Sequence, residues 1–233
     1  MIARISSIRS LSTRVKAFEL QLPEAVSFEA GQFVILKAEI RGEVIERSYS
    51  IANAVAATTN TLELCIALNP SGKMTPFLFE VEQGEVLEIS LPQGGFVLRQ
   101  DSRTLPTVFV CTGTGVAPFR SMIAQRLADG DTEPIYLVMG NRFVDDMLYH
   151  ADWMSLAETN PRFRYVNTLS KGAPMGNSMK QGYVHEHYTE IISNHRDVHV
   201  YVCGWEVMCK EARQRLKEMG LTRRQYFFEQ YDG

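Results

Sequence analysis

One stretch decides the fold of this chain: Val108-Phe109-Val110-Cys111-Thr112-Gly113-Thr114-Gly115-Val116-Ala117-Pro118. An apolar run rich in β-branched residues ends in a loop of small residues, and apolar Met122, Ile123 and Leu127 follow at the spacing of a buried helix face. Glycines let a backbone approach a ligand closely, and proline suits the first turn of a helix. The unpaired N–H groups of that first turn favour a phosphate. The stretch therefore predicts a strand, a phosphate-binding loop from Thr112 to Gly115, and a helix.

The same alternation of apolar strands and helical segments continues from about Leu105 to the end of the chain. It predicts a five-stranded parallel α/β sheet with strands at 107–111, 135–139, 163–169, 198–203 and 225–228, and helices near 118–128, 146–158, 184–193 and 206–219. Ligands of such sheets bind beyond the carboxyl ends of the strands. Asn141-Arg142, Ser170-Lys171 and Cys203-Gly204 are therefore expected at the same edge as the glycine loop.

The first hundred residues carry a different pattern of short strands separated by turn residues such as Arg41-Gly42 and Gln83-Gly84. They predict a six-stranded antiparallel β-barrel, interrupted by one short helix near 74–79 after Gly72-Lys73. We expect two domains, residues 1–103 and 104–233.

Composition limits the classes of function. The chain has 233 residues, of which 45% are hydrophobic, and a net charge of −3, which gives no reason to expect a nucleic-acid partner. No apolar run reaches membrane-spanning length, and the first residues alternate like a strand rather than a signal peptide. We expect a cytoplasmic monomer without a membrane partner. The four cysteines and five histidines lack the spacing of a zinc or iron–sulfur site, so no metal is expected.

Four segments, in their order along the chain, resemble the plant-type ferredoxin-NADP reductase family. They are Arg47-Ser48-Tyr49-Ser50-Ile51, the glycine loop ending at Pro118, Cys203-Gly204, and Glu229-Gln230-Tyr231. The resemblance implies an FAD-dependent NADPH oxidoreductase that exchanges electrons with a ferredoxin or flavodoxin. Because the chain shows no ferredoxin-like cysteine cluster, that electron partner is expected to be a separate protein.

The resemblance also implies where the flavin binds. Tyr49 offers a ring for the isoalloxazine, Ser50 a hydroxyl near its reactive N5, and Arg47 a cation for the diphosphate. The remaining expected flavin contacts lie beside Tyr49 or in the segments that lead into the short helix: Ser48, Cys65, Ile66, Ala67, Gly72, Lys73, Met74 and Thr75. Since only the dinucleotide flavin has a diphosphate, the last four residues favour FAD over FMN.

The catalytic roles implied by the family fall on Ser50, Cys203, Glu229 and Tyr231. Cys203 would face the nicotinamide, Glu229 would supply or relay a proton, and Tyr231 would stack on the flavin. Phe228 is an alternative for this stacking role, since two residues follow Tyr231.

Ser170-Lys171, with Lys180 and Tyr183 further on, resembles the segment that holds the 2′-phosphate in the NADP-specific branch. NADP(H) is therefore expected, with NAD(H) as the other coenzyme considered.

Other functions fit the same residues. A reductase of free flavin, or an NADH-dependent reductase component of an oxygenase, would keep the fold, and a regulatory subunit could bind nucleotide without catalysis. Each motif also has a structural explanation: a solvated barrel face, a plain turn, a buried cysteine, or the docking of a last strand. The basic residues between Lys210 and Arg224 could attract an acidic redox protein, but they are also typical of a solvated helix face.

Overall fold

A computed structural model describes residues 1–130, 132–174, 179–195 and 197–231. The chain forms two compact units: residues 1–98 together with Ala117–Gln125, and Arg99–Val116 together with the chain from Arg126 onward. The predicted fold class, an antiparallel β-barrel followed by a parallel α/β sheet, is confirmed. The placement of the domain boundary after residue 103 stays a prediction.

The first unit is a curled antiparallel sheet of six strands in the order β4-β3-β6-β1-β2-β5. An isolated antiparallel bridge between Ile51 and Leu64 joins the regions of β4 and β5, the two edges of the sheet. The elements are β1 (Ile2–Ser12), β2 (Val15–Val26), β3 (Phe33–Ile40), β4 (Glu43–Ser50), β5 (Thr59–Ala67), α1 (Met74–Glu80) and β6 (Val86–Ile89).

Alternation builds the core of this unit. In β1 and β2, Ala3, Ile5, Phe18 and Leu20 are buried, while several of the residues between them are exposed, as expected for strands with one face against a core. The segment Ala117–Gln125 completes this unit. The Phe119 ring lies 6.1 Å from the Phe96 ring, and Phe119 and Met122 are fully buried.

The second unit is a parallel sheet in the order β10-β9-β8-β7-β11-β12. The order reverses beside β7, whose neighbours are β8 and β11, and such reversals open the crevice where α/β sheets bind ligands. The strands are β7 (Thr107–Thr112), β8 (Ile135–Asn141), β9 (Phe163–Leu169), β10 (Met179–Gln181), β11 (His199–Trp205) and β12 (Tyr226–Tyr231). The helices are α2 (Val116–Ala128), α3 (His150–Thr159), α4 (Val184–Ser193) and α5 (Glu206–Glu218).

The predicted bounds differ from the structure at several element ends; β12, for example, is Tyr226–Tyr231 rather than 225–228. Two further details also differ from the sequence-based expectation. The described part of the sheet has six strands rather than five, because β10 adds three residues in parallel to β9, and three residues are too few for a periodic signal. Helix α3 begins at His150 rather than at residue 146. The preceding Val144–Asp146 form a 3-10 turn, and Tyr149 has a left-handed backbone with φ of 56°.

None of the helices in the described ranges combines the length and apolar character needed to cross a membrane.

Candidate functional site

The glycine loop and the end of β11 touch through their backbones. A Cβ atom on Gly115 would overlap the Cys203 carbonyl, and one on Gly204 would overlap the Thr112 side chain. Gly204 also has φ of +143°, which side-chain-bearing residues rarely adopt. The Trp205 amide donates a hydrogen bond to Thr112 Oγ1 at 3.3 Å. The missing side chain at Gly115 therefore lets the loop pack closely against β11. The backbone that approaches Gly115 is that of the protein itself.

Cys203 lies at the centre of the predicted catalytic residues of this unit. It is fully buried, and its register partners are Cys111 on β7 and Glu229 on β12. Burial is the main reason that the pKa of the Cys203 thiol is raised well above its usual value. The Glu229 carboxylate raises this pKa further, and a hydrogen bond from the Tyr231 hydroxyl partly opposes the shift. The site therefore holds a neutral thiol together with a carboxylate and a phenol.

Residues beside this cluster have structural partners. The Cys209 thiol lies 3.6 Å from both the Gly204 and Glu229 carbonyl oxygens, which fits its assignment to packing. The guanidinium of Arg213 lies 4.8 Å from the centre of the Phe228 ring. Phe228, the alternative to Tyr231 for stacking on the flavin, therefore packs beside α5.

The loops after β8 and β9 are joined to each other. The Ser170 amide donates to the Asn141 carbonyl at 3.0 Å, and the Lys171 amide donates to the Arg142 carbonyl at 3.1 Å. The Asn141 side chain is held by Asn167 at 2.6 Å. The side chains of Arg142 and Lys171 are exposed, as is Lys180 on β10. This edge of the sheet thus carries a group of solvent-facing cations.

Pro118 is the third residue of α2 and is buried. Its position in the first turn of the helix is expected from the fixed φ of proline. The loop and this turn place backbone N–H groups at the start of a 13-residue helix, where the helix dipole favours an anion.

In the first unit, β4 pairs with β3 and ends with Arg47, Ser48, Tyr49 and Ser50. Arg47 and Ser48 are exposed, Tyr49 is partly buried, and Ser50 is buried. Burial raises the pKa of the Tyr49 hydroxyl above its usual value, with Arg47 opposing the shift, so the phenol stays protonated. One guanidinium nitrogen of Arg47 donates to the Glu46 carbonyl at 2.7 Å. A guanidinium has five N–H donors, so Arg47 keeps capacity for a phosphate.

The segment from Gly72 to Thr75 precedes and begins α1. Lys73 forms an ion pair with Glu43, the first residue of β4. The Thr75 hydroxyl donates its only proton to the Asn69 carbonyl and accepts from the Asn69 amide. Since phosphate oxygens only accept, Thr75 could donate to one only by breaking the bond to Asn69, and backbone N–H groups are the better candidates. Cys65 and Ile66 are buried, and Ala67 is exposed.

Sequence reasoning missed two features. Trp205, directly after Gly204, is 58% exposed beside the glycine loop. Ser102, in the segment before β7, is buried against β11, with its hydroxyl 2.7 Å from His199 Nδ1 and 2.9 Å from the Tyr201 hydroxyl. An indole next to a site glycine could have been noticed. The contacts of Ser102 with His199 and Tyr201 join residues almost a hundred positions apart and leave no local signal in the sequence.

The donor sets fit the two expected cofactors. The protonated phenol and remaining guanidinium donors in the first unit suit a flavin ring and an anionic diphosphate. The glycine loop, helix start and exposed cations of the second unit suit a phosphorylated dinucleotide. Within the described residues, no group of three or more His, Cys, Asp or Glu side chains is placed to hold a metal ion.

The chain matches two protein families, one for each sheet. Residues 2–98 match the oxidoreductase FAD-binding domain, and residues 109–214 match the oxidoreductase NAD-binding domain. Ferredoxin--NADP reductase B of Sorangium cellulosum is 34% identical, over 99% of this chain and 97% of that protein. The phenol hydroxylase P5 protein of Acinetobacter pittii is 30% identical over 98% of this chain, which spans 65% of that longer protein.

Solved structures show the same fold. A ferredoxin NADP+ reductase from Neisseria gonorrhoeae with bound FAD and NADP has a TM-score of 0.85 at 22% identity, covering 99% of this chain and 98% of that one. The Amycolatopsis cytochrome P450 reductase GcoB has a TM-score of 0.89 at 27% identity, covering 98% of this chain and 68% of that one. With its FAD-binding and NAD-binding domains, the chain belongs to the ferredoxin reductase family of flavoprotein oxidoreductases.

Proposed function

We propose that this protein is a plant-type ferredoxin-NADP reductase, an FAD-dependent enzyme that moves electrons between NADP(H) and a separate ferredoxin or flavodoxin. The observation that carries the proposal is the cluster of Cys203, Glu229 and Tyr231 beside the glycine loop. It contains three of the four residues to which the family resemblance gives catalytic roles. Bound FAD would accept a hydride and release single electrons.

The residues of this chain would bind and orient FAD and NADP(H) and shield them from water. Cys203 is fully buried, so a nicotinamide would meet its neutral thiol only after a covering side chain moves aside, while the backbone contact at Gly115 fixes the position of the loop. Glu229 would hold or pass a proton. In the first unit, Tyr49 would pack on the flavin, Arg47 would pair with its diphosphate, and Ser50 would hydrogen-bond near N5.

The experiment for this function is electron transfer with the purified protein. Flavin absorbance should persist through gel filtration, at the elution volume of a monomer. NADPH-driven reduction of cytochrome c should then depend on added ferredoxin or flavodoxin. Flavin that is lost on dilution, with activity restored by free flavin, would favour a free-flavin reductase. Binding of nucleotide without reduction of any acceptor would instead indicate a regulatory subunit.

The coenzyme is proposed to be NADPH, because Arg142 after β8, Lys171 after β9 and Lys180 on β10 expose cations at the edge where a 2′-phosphate would lie. Lys171→Ala should lower the preference for NADPH over NADH mainly through KM, and added salt should act in the same direction. Equal kcat/KM for the two coenzymes in the unmodified protein at low salt would contradict the proposal.

A second function is a reductase component of an oxygenase, favoured by the 30% identity to the phenol hydroxylase P5 protein. That reading predicts NADH as the better coenzyme and an oxygenase, rather than a ferredoxin or flavodoxin, as the electron acceptor. The coenzyme comparison above therefore separates the two functions.

A further inference from the structure

The two glycines of the loop have different surroundings. The space beside Gly115 is filled by the backbone of Cys203 and Gly204. Gly113, with a left-handed φ of 53°, faces open space: among the described residues, and apart from the neighbouring backbone of its own loop, a single atom lies within 4 Å of the point where a Cβ would stand. That atom is Nε1 of Trp205, at 4.0 Å. The loop is therefore packed against protein at Gly115 and open to a ligand at Gly113, with an indole N–H at the border.

Trp205 is held in this place by its backbone. Its amide bonds to Thr112, and its register partner on β12 is Tyr231. Its side chain is nonetheless 58% exposed, whereas the other tryptophan of the chain, Trp153, is 4% exposed. Tryptophan is more often buried to a large extent, and exposed aromatic groups with a fixed backbone are common at binding sites.

We propose that Trp205 is a nucleotide-contacting residue, whose indole N–H donates a hydrogen bond to the diphosphate of bound NADP(H). This inference rests on the proposed function and adds a residue to its nucleotide site. The indole nitrogen can only donate and phosphate oxygens can only accept, so the two are complementary. The contact adds a side-chain donor to the backbone N–H groups of the loop, and the ring covers one side of the diphosphate.

The test compares three ligands that share the 2′-phosphorylated adenosine end. NADP+ and 2′-phospho-ADP-ribose contain the diphosphate, whereas 2′-AMP lacks it. Trp205→Phe keeps an aromatic ring but removes the donor, and Val207→Ala trims a neighbouring side chain that is 76% exposed. Calorimetric titration of the flavin-loaded protein gives each affinity, and circular dichroism checks that each variant is folded.

Trp205→Phe should weaken NADP+ and 2′-phospho-ADP-ribose by about tenfold, the expected loss for a hydrogen bond to a charged group, and should leave 2′-AMP unchanged. Val207→Ala should change none of the three affinities. In the unmodified protein, the two diphosphate ligands should also shield the exposed tryptophan from acrylamide quenching, while the fluorescence of Trp153 gives the constant background.

Three results would overturn the proposal. Unchanged affinity of Trp205→Phe for both diphosphate ligands would exclude the contact, and equal weakening of 2′-AMP would place any contact at the adenosine end. A loss confined to NADP+ would assign Trp205 to the nicotinamide instead of the diphosphate. If the unmodified protein binds none of the three ligands, the proposed function fails as well, which separates that failure from the failure of Trp205 alone.

Discussion

At the scale of single residues, Arg47 should decide how firmly FAD is held. Its exposed guanidinium makes one hydrogen bond to the Glu46 carbonyl and keeps further donors for a diphosphate. Arg47→Ala should cost about 1.5–3 kcal/mol of FAD binding, the usual contribution of a charge-assisted hydrogen bond. The flavin-to-protein ratio after gel filtration measures the loss. Arg4→Ala, another exposed arginine of this unit, is the control, and a full flavin content in Arg47→Ala would contradict the prediction.

Substitutions of Cys203 and Ser50 should change the rate of flavin reduction rather than the amount of bound FAD. Both side chains are buried, so neither change removes a surface charge that attracts a ligand. Cys203→Ala and Ser50→Val should slow flavin reduction by NADPH in single-turnover stopped flow, while the bound FAD stays normal. Cys209→Ala, a buried thiol of α5, should keep the original rate. Unchanged rates in both test variants would remove these residues from the catalytic group.

At the scale of elements, the contact between the glycine loop and β11 depends on the absence of a side chain at residue 115. Gly115→Ala should lower the stability of the second unit by about 1–3 kcal/mol, as overpacking does, because the added methyl would overlap the Cys203 carbonyl. Urea unfolding followed by tryptophan fluorescence would measure this. Gly95→Ala, where the added atom meets nothing within 4 Å, should stay near the original stability. Equal midpoints for the two variants would refute the argument.

The elements also show what the sequence could predict. Strand β9 and helix α4 have the predicted bounds, because long periodic segments give many independent signals. Cys203 and Glu229 meet because neighbouring parallel strands bring them into register, and the hydroxyl of Tyr231, two residues further along β12, reaches the Cys203 thiol. The β10 strand, the orientation of Trp205 and the commitment of the Thr75 hydroxyl to Asn69 depend on tertiary contacts, for which a single sequence carries no periodic signal.

At the scale of the whole molecule, two buried histidines should link stability to pH. His199 contacts Ser102 and the Phe227 ring, and His185 lies 3.0 Å from the Tyr188 hydroxyl and 3.2 Å from Glu211. Burial lowers the pKa of both imidazoles. The charged groups that modify these two pKa values are Asp101, Arg99 and Arg126 for His199, and Glu211, Arg215 and Glu186 for His185.

A histidine whose pKa is lowered by folding takes up a proton more readily in the unfolded chain. The stabilisation from the neutral form is therefore complete above the ordinary pKa of about 6.5 and is lost as the pH falls below it. Urea midpoints should drop between pH 7.5 and pH 5.5, and His199→Asn should flatten that dependence. The less buried His187 provides the control variant His187→Asn. A pH dependence of the same slope in His199→Asn would show that His199 is not one of its sources.

Helix α2 is divided between the two units, and this division limits how the protein can be recombined with its relatives. Residues 117–125 belong to the first unit, where Phe119 and Met122 are fully buried, although they follow the nucleotide loop in sequence. A chimaera joined at residue 103 would therefore give this flavin unit a foreign helix surface, and a fragment of residues 1–103 would leave apolar surface exposed to water. Exchange of nucleotide domains between relatives should succeed only when residues 117–125 are kept with the flavin unit.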